Sequence, residues 1–567
     1  MSPGDVDSPA GPPPAGLAEH THFLERWGWA GAFALLTLGF VLRVRGLSTY
    51  WLNPDEGIYY SALTRTSFGD FWADVIANAH PPAFYLLLRG LGLFTWDFVW
   101  LRGTSVLFGT AAIWIFWLVG RELGGKGTAG VGAGLITAAL VAVNGEAIAL
   151  SQLLRPYMML LALLGLALFH LLRYRAEPTD RNLIAYAMYS CLALLTHYSA
   201  VMAFAVFLGV TVYFGLARVV DNEAWSKLAK LQAIPAVLIV LLYQRHLGTS
   251  LGSDVMSEAL APGGWLGGWL VASPGDAWRG FLNFQVFHLP PSLRGRSAVL
   301  MLAAIAVSLS AKERTVSVLA VTAVSGALLA ASLGLYPIGE SRHNTWLVVF
   351  TLPALGSLAG RAIKRGHRTT WVLIGALTVV LLFGGPSERV LGARPLVTNE
   401  LGEQVIRRQD LASLVVERLG PEGAPRTILM SEQTYNLLMP LYPSAREDVR
   451  MSDDAALLTF SYGAREIVVA RRWDWEGLRD VERVLRAIPS TFPGVFQDGP
   501  STVLVMAGGW GSSLFLDLGE LEERGALLDW AGVPGVGPAG ENVQTLGAFV
   551  VDRQALLRSS ITPDGLR

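Results

Sequence analysis

"HPPAFYLLLRGLGLFTW", residues 80 to 96, decides how the rest of the chain is threaded. Read as a membrane crossing, it would move every later loop to the opposite side. The run is short, it opens on His80 followed by Pro81 and Pro82, and it carries Arg89 in its middle. A guanidinium at membrane depth is costly, and a short apolar helix with such a charge settles in the interface. We therefore read 80 to 96 as an interfacial or re-entrant helix that does not cross. The consequence is one long outer loop from 48 to 98.

On either side of this stretch the chain is apolar. Of 567 residues, 52% are hydrophobic and 16% charged, the balance of a polytopic α-helical membrane protein. Since a helix needs about 20 apolar residues to cross the hydrocarbon core, spans are expected near 27–47, 99–120, 128–148, 156–172, 182–196, 198–216, 229–247, 297–311, 314–335, 344–360 and 371–385, about eleven in all. With the N-terminus in the cytoplasm, the inner loops carry Arg121 and Lys126, then Arg173, Arg175 and Arg181, then Arg218, Lys227 and Lys230, then Lys312 and Arg314, then Arg361, Lys364, Arg365 and Arg368. The short outer loops hold at most one arginine each, as the positive-inside rule requires.

Three regions follow. Residues 1–26, rich in Pro, Gly and Ala and lacking the basic start and apolar core of a signal peptide, read as a disordered cytoplasmic tail. Residues 27–388 form the transmembrane module, with long outer loops at 48–98 and 248–296. From 389 to 567 the charge density rises, and apolar runs such as "RTILMS", "EIVVAR" and "TVLVMAG" alternate with the amphipathic "DWEGLRDVERVLRAI". An odd number of spans makes this an extracytoplasmic α/β domain of a multi-pass protein in the cell (plasma) membrane. A net charge of −1 without a basic run excludes nucleic acid as a partner. Cys191 is the single cysteine, so there is no intrachain disulfide and no cysteine-based zinc site.

The ionisable residues near membrane depth collect on the outer side. Asp55 and Glu56 follow the first span in "WLNPDEGIYY". His80 opens the interfacial helix, and Arg102 begins the second span. Arg155 and Tyr157 lie in "SQLLRPY", His197 and Tyr198 in "THYS", and Glu340, Arg342 and His343 in "GESRHN". Interfacial charges mark a site or pathway by default. Plainer readings compete: a helix cap after Pro54 for the two carboxylates, snorkelling for Arg155 and Arg342, an interfacial anchor for Arg102, and structural hydrogen bonds for His80 and Tyr198. Trp51, Trp72, Trp96 and Trp100 read as an aromatic belt. A carboxylate can take a proton from an attacking hydroxyl while guanidinium groups neutralise a phosphate leaving group. The chemistry implied is displacement at a carbon bearing a lipid-linked phosphate.

"WLNPDEGIYYSAL", "HPPAFYLLLRGL", "LRGTSVLFGTAAIWIFWLVGREL", "SQLLRPYMMLLALLGLALFHLLR", "THYSAVMAF" and "YPIGESRHNTWLVVFTLPAL", taken as an ordered series, resemble the C-type superfamily of integral membrane glycosyltransferases. The nearest branch looks like the protein O-mannosyltransferase and aminoarabinose transferase group. The resemblance implies transfer of a sugar from a polyprenyl-phosphate donor to a glycan, lipid or protein acceptor at the extracytoplasmic face, with inversion. It implies Asp55 as general base with Glu56 beside it. Donor and phosphate binding would fall to His80, Arg102, Arg155, Tyr157, Arg342 and His343, with His197, Tyr198 and Glu340 as acceptor-side or supporting groups.

His80 stands where the aminoarabinose branch places a phosphate-binding lysine, and "SQLLRPY" lacks the acidic residue that many relatives show before the arginine. Asp55 and Glu56 leave a divalent cation open, although two carboxylates are too few to define one; no other cofactor is expected. The competing function is a lipid or sugar transporter or flippase without transfer chemistry. It is disfavoured because the chain has no internal repeat and its charges lie at one face.

Overall fold

The structure is a computed structural model. It describes residues 15–248 except 66 and 79, residues 273–283, 314–338, 342–364 and 411, and most of 427–559. The spans expected near 297–311 and 371–385, most of the loop 248–296, and Glu340 lie outside the described residues.

Helices follow in the order α1 (Ala15–Val44), α2 (Pro54–Leu63), α3 (Phe68–Ala77), α4 (Ala83–Leu91), α5 (Phe98–Gly124), α6 (Thr128–Ala142), α7 (Gly145–Ser151), α8 (Tyr157–Ala176), α9 (Asp180–Leu194), α10 (Ala200–Leu216), α11 (Asn222–Leu231) and α12 (Ala233–Leu242). A π-helical turn, Tyr243–Leu247, extends α12. Beyond it come the helix Thr315–Ser332 and a 3-10 turn, Arg342–Leu347, that runs into the helix Val348–Lys364. Since α1 begins at Ala15, the part of the expected tail from residue 15 onward is helical.

Among the described residues, five segments are long and apolar enough to cross a membrane: Arg26–Val44, Phe98–Gly124, Tyr157–Ala176, Asn222–Leu247 and Thr315–Ser332. Thr128–Ala142 and Ala200–Leu216 are apolar but shorter. This is a mostly helical membrane protein, with fewer full-length spans among these residues than the eleven expected.

The stretch that decides the threading contains α4, a helix of nine residues and so only about 13 Å long, well short of the roughly 30 Å hydrocarbon core. Phe84, Tyr85 and Leu88 face the protein, while Leu93 and Phe94 just beyond the helix are exposed. The long connection 48–98 is thus built around three short helices, α2, α3 and α4.

Small residues let the spans close on one another. A Cβ added at Gly360 would collide with the Ala129 carbonyl oxygen, so α6 and the helix Val348–Lys364 meet backbone to backbone. Arg43, buried in α1, donates from Nη1 and Nη2 to the carbonyls of Gly39, Ala142 and Val141 and from Nε to Ser151 Oγ. It ties α1 to the end of α6 and to α7.

The C-terminal region forms a seven-stranded mixed sheet, ordered β2-β3-β4-β1-β5-β7-β6. Its strands are β1 (Thr427–Ser431), β2 (Arg450–Met451), β3 (Leu457–Tyr462), β4 (Arg465–Ala470), β5 (Thr502–Gly508), β6 (Leu527–Val536) and β7 (Asn542–Asp552). β1 pairs in parallel with β4 and β5, and the remaining pairs are antiparallel. Alternation along the strands divides the faces. Leu429, Val468, Val503, Val505 and Phe549 pack under the helix Leu478–Thr491. Ile428, Met430, Phe460, Ile467 and Leu504 face the other way and join the core shared with the membrane module. The link is the helix Glu432–Leu438, which leaves the end of β1 and packs on α2.

Candidate active site

The sequence "NPDE" builds the start of α2. Asn53 Oδ1 accepts from the Glu56 backbone N–H at 2.9 Å, and Glu56 Oε2 accepts from the Asn53 backbone N–H at 3.0 Å, with Pro54 in the first turn. This is a complete capping box. Glu56 has no exposed surface. Its Oε1 also accepts from Arg102 Nε at 2.8 Å and from the Leu154 backbone N–H at 2.6 Å, and its Oε2 from Arg102 Nη2 at 2.7 Å. Arg102 turns its remaining N–H groups to the carbonyls of Leu47 at 3.2 Å and of Tyr50 and Trp51, each at 2.8 Å.

All five guanidinium N–H groups of Arg102 are therefore used. The expectations for this pair are corrected by the geometry: Arg102 has no donor left for a phosphate, and Glu56 has no open oxygen. For Glu56, the helix-cap reading is the one that holds. Trp51, expected in the aromatic belt, is also buried, whereas Trp72, Trp96 and Trp100 are exposed.

Asp55 points elsewhere. Its Oδ2 accepts from Arg342 Nη2 at 2.5 Å and pairs with Arg155 Nη1 at 2.9 Å, with all three residues buried. Arg155 lies 5.4 Å from the Tyr59 ring and 5.5 Å from the Tyr157 ring, and Arg342 lies 5.9 Å from the latter. Arg155 Nη2 donates to the Tyr157 hydroxyl at 3.3 Å, while its Nε is buried with no partner among the described residues.

Three histidines gather beside these arginines. The rings of His80 and His197 are 5.2 Å apart, those of His197 and His343 6.0 Å, and those of Tyr157 and His197 5.0 Å. His197 Nδ1 accepts from the Ser199 backbone N–H at 3.1 Å, which puts the proton on Nε2. That nitrogen is buried and has no partner among the described residues.

Burial, then the charges of Arg342 and Arg155, push His343 down to about 3. Burial, then Arg155, lower His80 well below the ordinary imidazole range, and burial followed by His343 and Arg155 does the same for His197. Burial, the largest influence, lowers Arg155, but Asp55 together with Tyr157 and Tyr59 more than offsets it, and the net shift is upward. Among the described residues, two guanidinium groups meet one carboxylate here, buried beside the three imidazoles, and guanidinium groups held away from water are suited to an anion.

The fold around this cluster has a counterpart among solved structures. ArnT from Cupriavidus metallidurans bound to undecaprenyl phosphate superimposes with a TM-score of 0.50 at 13% identity, over 94% of this chain and 99% of that one. The chain has the fold of ArnT. ArnT in the apo state gives a TM-score of 0.48 at 14% identity, again over 94% of this chain and 99% of that one. AglB, an oligosaccharyltransferase from Archaeoglobus fulgidus, in complex with an inhibitory peptide and a dolichol-phosphate, gives 0.49 at 12% identity over 92% of this chain and 74% of that one. No protein-family model matches the sequence, and no curated protein matches it.

Within this ArnT-like fold, Asp55, His80, Arg155, Tyr157, His197, Arg342 and His343 come together. Tyr198 is drawn off, its hydroxyl bonded to His246 Nδ1, while His246 Nε2 meets the Val75 carbonyl oxygen at 2.9 Å. Sequence reasoning missed Tyr59 and Tyr85, which stack at 4.4 Å, with Tyr59 beside Arg155 and His80. Tyr59 sits four residues after Asp55 on α2, on the same helix face, and that spacing was the available signal. The donor set at Asp55 and Glu56 does not fit a divalent cation. Asp55 faces two guanidinium groups, Glu56 is saturated, and no three His, Cys, Asp or Glu residues among those described are placed to hold a metal.

Proposed function

We propose that this protein is a glycosyltransferase that moves a sugar from a polyprenyl-phosphate donor to an acceptor at the outer face of the membrane. The observation that carries the reading is Asp55 held between two buried arginines, Arg155 and Arg342. The same fold in ArnT bound to undecaprenyl phosphate supports it.

In the proposed reaction, Asp55 accepts the proton of the acceptor's nucleophilic group as that group attacks the anomeric carbon. The bond from this carbon to the phosphate oxygen breaks with inversion, and the leaving polyprenyl phosphate keeps the electron pair. Arg155 and Arg342 take up the phosphate charge in a site screened from water. His80, His197 and His343, uncharged, offer hydrogen bonds to sugar hydroxyls without adding charge. Arg102 and Glu56 act as a brace beneath the first turn of α2. The acceptor is a glycan, a lipid or a protein, and the sugar is a hexose or pentose.

The test is sugar release from radiolabelled polyprenyl-phosphate sugars by purified wild-type and Asp55→Asn protein in lipid vesicles. Release by the wild type alone is expected. Equal release by Asp55→Asn would remove Asp55 as base, and no release from any donor would favour the transporter.

A further inference from the structure

The helix that carries Asp55 is held from two sides. Beneath it, Arg102 fixes Glu56 and the carbonyls leading into α2. Against its flank lies the helix Glu432–Leu438 of the C-terminal sheet domain. Trp51 Nε1 donates to the Leu437 carbonyl at 2.7 Å, a buried bond across 386 residues of sequence. Gly57, two residues after Asp55, has the backbone of Asn436 where a side chain would be. A Cβ there would lie 2.5 Å from the Asn436 carbonyl oxygen and 2.6 Å from its carbonyl carbon. The obstacle is main chain, which cannot swing aside as a flexible side chain can.

The docking helix is rigid with the sheet behind it. Thr434 Oγ1 accepts from the Gly508 backbone N–H at 3.0 Å, donates to the Gly508 carbonyl at 3.2 Å, and meets Ser431 Oγ at 2.9 Å. These bonds lock the helix to the ends of β1 and β5. Displacement of the sheet domain therefore bears directly on the first turn of α2.

We propose that the C-terminal domain positions Asp55, with Gly57, Trp51 and the backbone of Asn436–Leu437 as the contact through which it does so. Gly57 and Trp51 are positioning residues and touch no reacting atom. The inference rests on the glycosyltransferase reading for its kinetic consequence but not for its mechanical one. Gly57→Ala should force the docking helix off α2, and Trp51→Phe should remove its hydrogen bond while keeping an aromatic ring in place.

The experiment measures hydrogen exchange of the α2 amides and donor kinetics for wild type, Gly57→Ala and Trp51→Phe, each full-length in vesicles, with thermal unfolding as a check on the rest of the fold. Exchange in the first turn of α2 should rise in both variants. The kcat should fall about tenfold to a hundredfold, as a misplaced catalytic group requires, while the donor KM stays near that of wild type. Unchanged exchange in α2, or faster exchange with unchanged kcat, would overturn the proposal. If wild type releases no sugar from any donor, the glycosyltransferase reading fails, and the exchange measurement alone decides whether the two helices are coupled.

Discussion

Arg102 grips Glu56 with two parallel hydrogen bonds, Nε to Oε1 at 2.8 Å and Nη2 to Oε2 at 2.7 Å, in a place where neither side chain meets water. Breaking a buried pair by removing one partner costs about 3–5 kcal/mol, because the other charge is left uncompensated. Arg102→Ala and Glu56→Ala should each lower the unfolding temperature of the detergent-solubilised protein sharply. Arg102→Lys should not rescue, since a lysine cannot reproduce the planar fork or its five donors. Near-normal unfolding temperatures would show that the brace is dispensable.

Asp55→Asn keeps the shape of the side chain but gives up its role as proton acceptor. On the proposed mechanism, sugar transfer falls by roughly 10²–10⁴-fold, the usual contribution of a positioned base. Binding of undecaprenyl phosphate, measured by native mass spectrometry or a spin-labelled analogue, should persist, because both arginines remain. Loss of binding together with transfer would recast Asp55 as a structural counterion.

Arg155 and Arg342 are paired with the same Oδ2, so they should not be interchangeable with lysine. Arg342→Lys and Arg155→Lys are expected to raise the donor KM by about tenfold or more, one charge-assisted hydrogen bond being worth about 1.5–3 kcal/mol. A KM unchanged in both would place the phosphate elsewhere.

The histidine cluster makes the fold acid-sensitive. His343 is lowered to about 3, and His80 and His197 are lowered as well, while in the unfolded chain an imidazole titrates near about 6.5. Below that pH the unfolded state binds protons that the folded state refuses, so stability falls as pH drops from about 6.5 toward 3. Thermal unfolding at pH 7.5 and pH 5 should show the loss, and His343→Gln should shrink it. An identical pH dependence in the variant would remove His343 as a contributor.

That several of the candidate residues would lie close together was legible because the apolar runs sort the chain. The apolar runs leave Asp55, His80, Arg155, His197, Arg342 and His343 near the ends of helices, and a membrane protein has few reasons to keep so many ionisable groups there. Arg102 was misread for the same reason: it stands at a helix end like the others, and only the carbonyls of Leu47, Tyr50 and Trp51 around it reveal that its donors are used. Tyr198 sits next to His197 in sequence, yet their side chains diverge at the turn before α10. Trp51 looked like a belt residue because nothing local announces a partner in the C-terminal domain.

The sequence by itself determined that this chain lives in a membrane, that residues 80–96 are too short and too charged to cross, and that "NPDE" starts a capped helix. These follow from local energetics: the cost of unpaired polar groups in hydrocarbon and the need to satisfy the first turn of a helix. It could not decide which of two adjacent carboxylates faces the arginines. Successive residues on a helix point about 100° apart, so Asp55 and Glu56 must look in different directions. Which direction holds Arg102 and which holds Arg155 and Arg342 is set by where the folded chain brings Arg102 on α5, Arg155 just before α8 and Arg342 at the start of the turn Arg342–Leu347. Likewise only the tertiary structure brought Leu437 to Trp51, because that contact depends on how a folded sheet domain docks and not on any preference of the residues beside it.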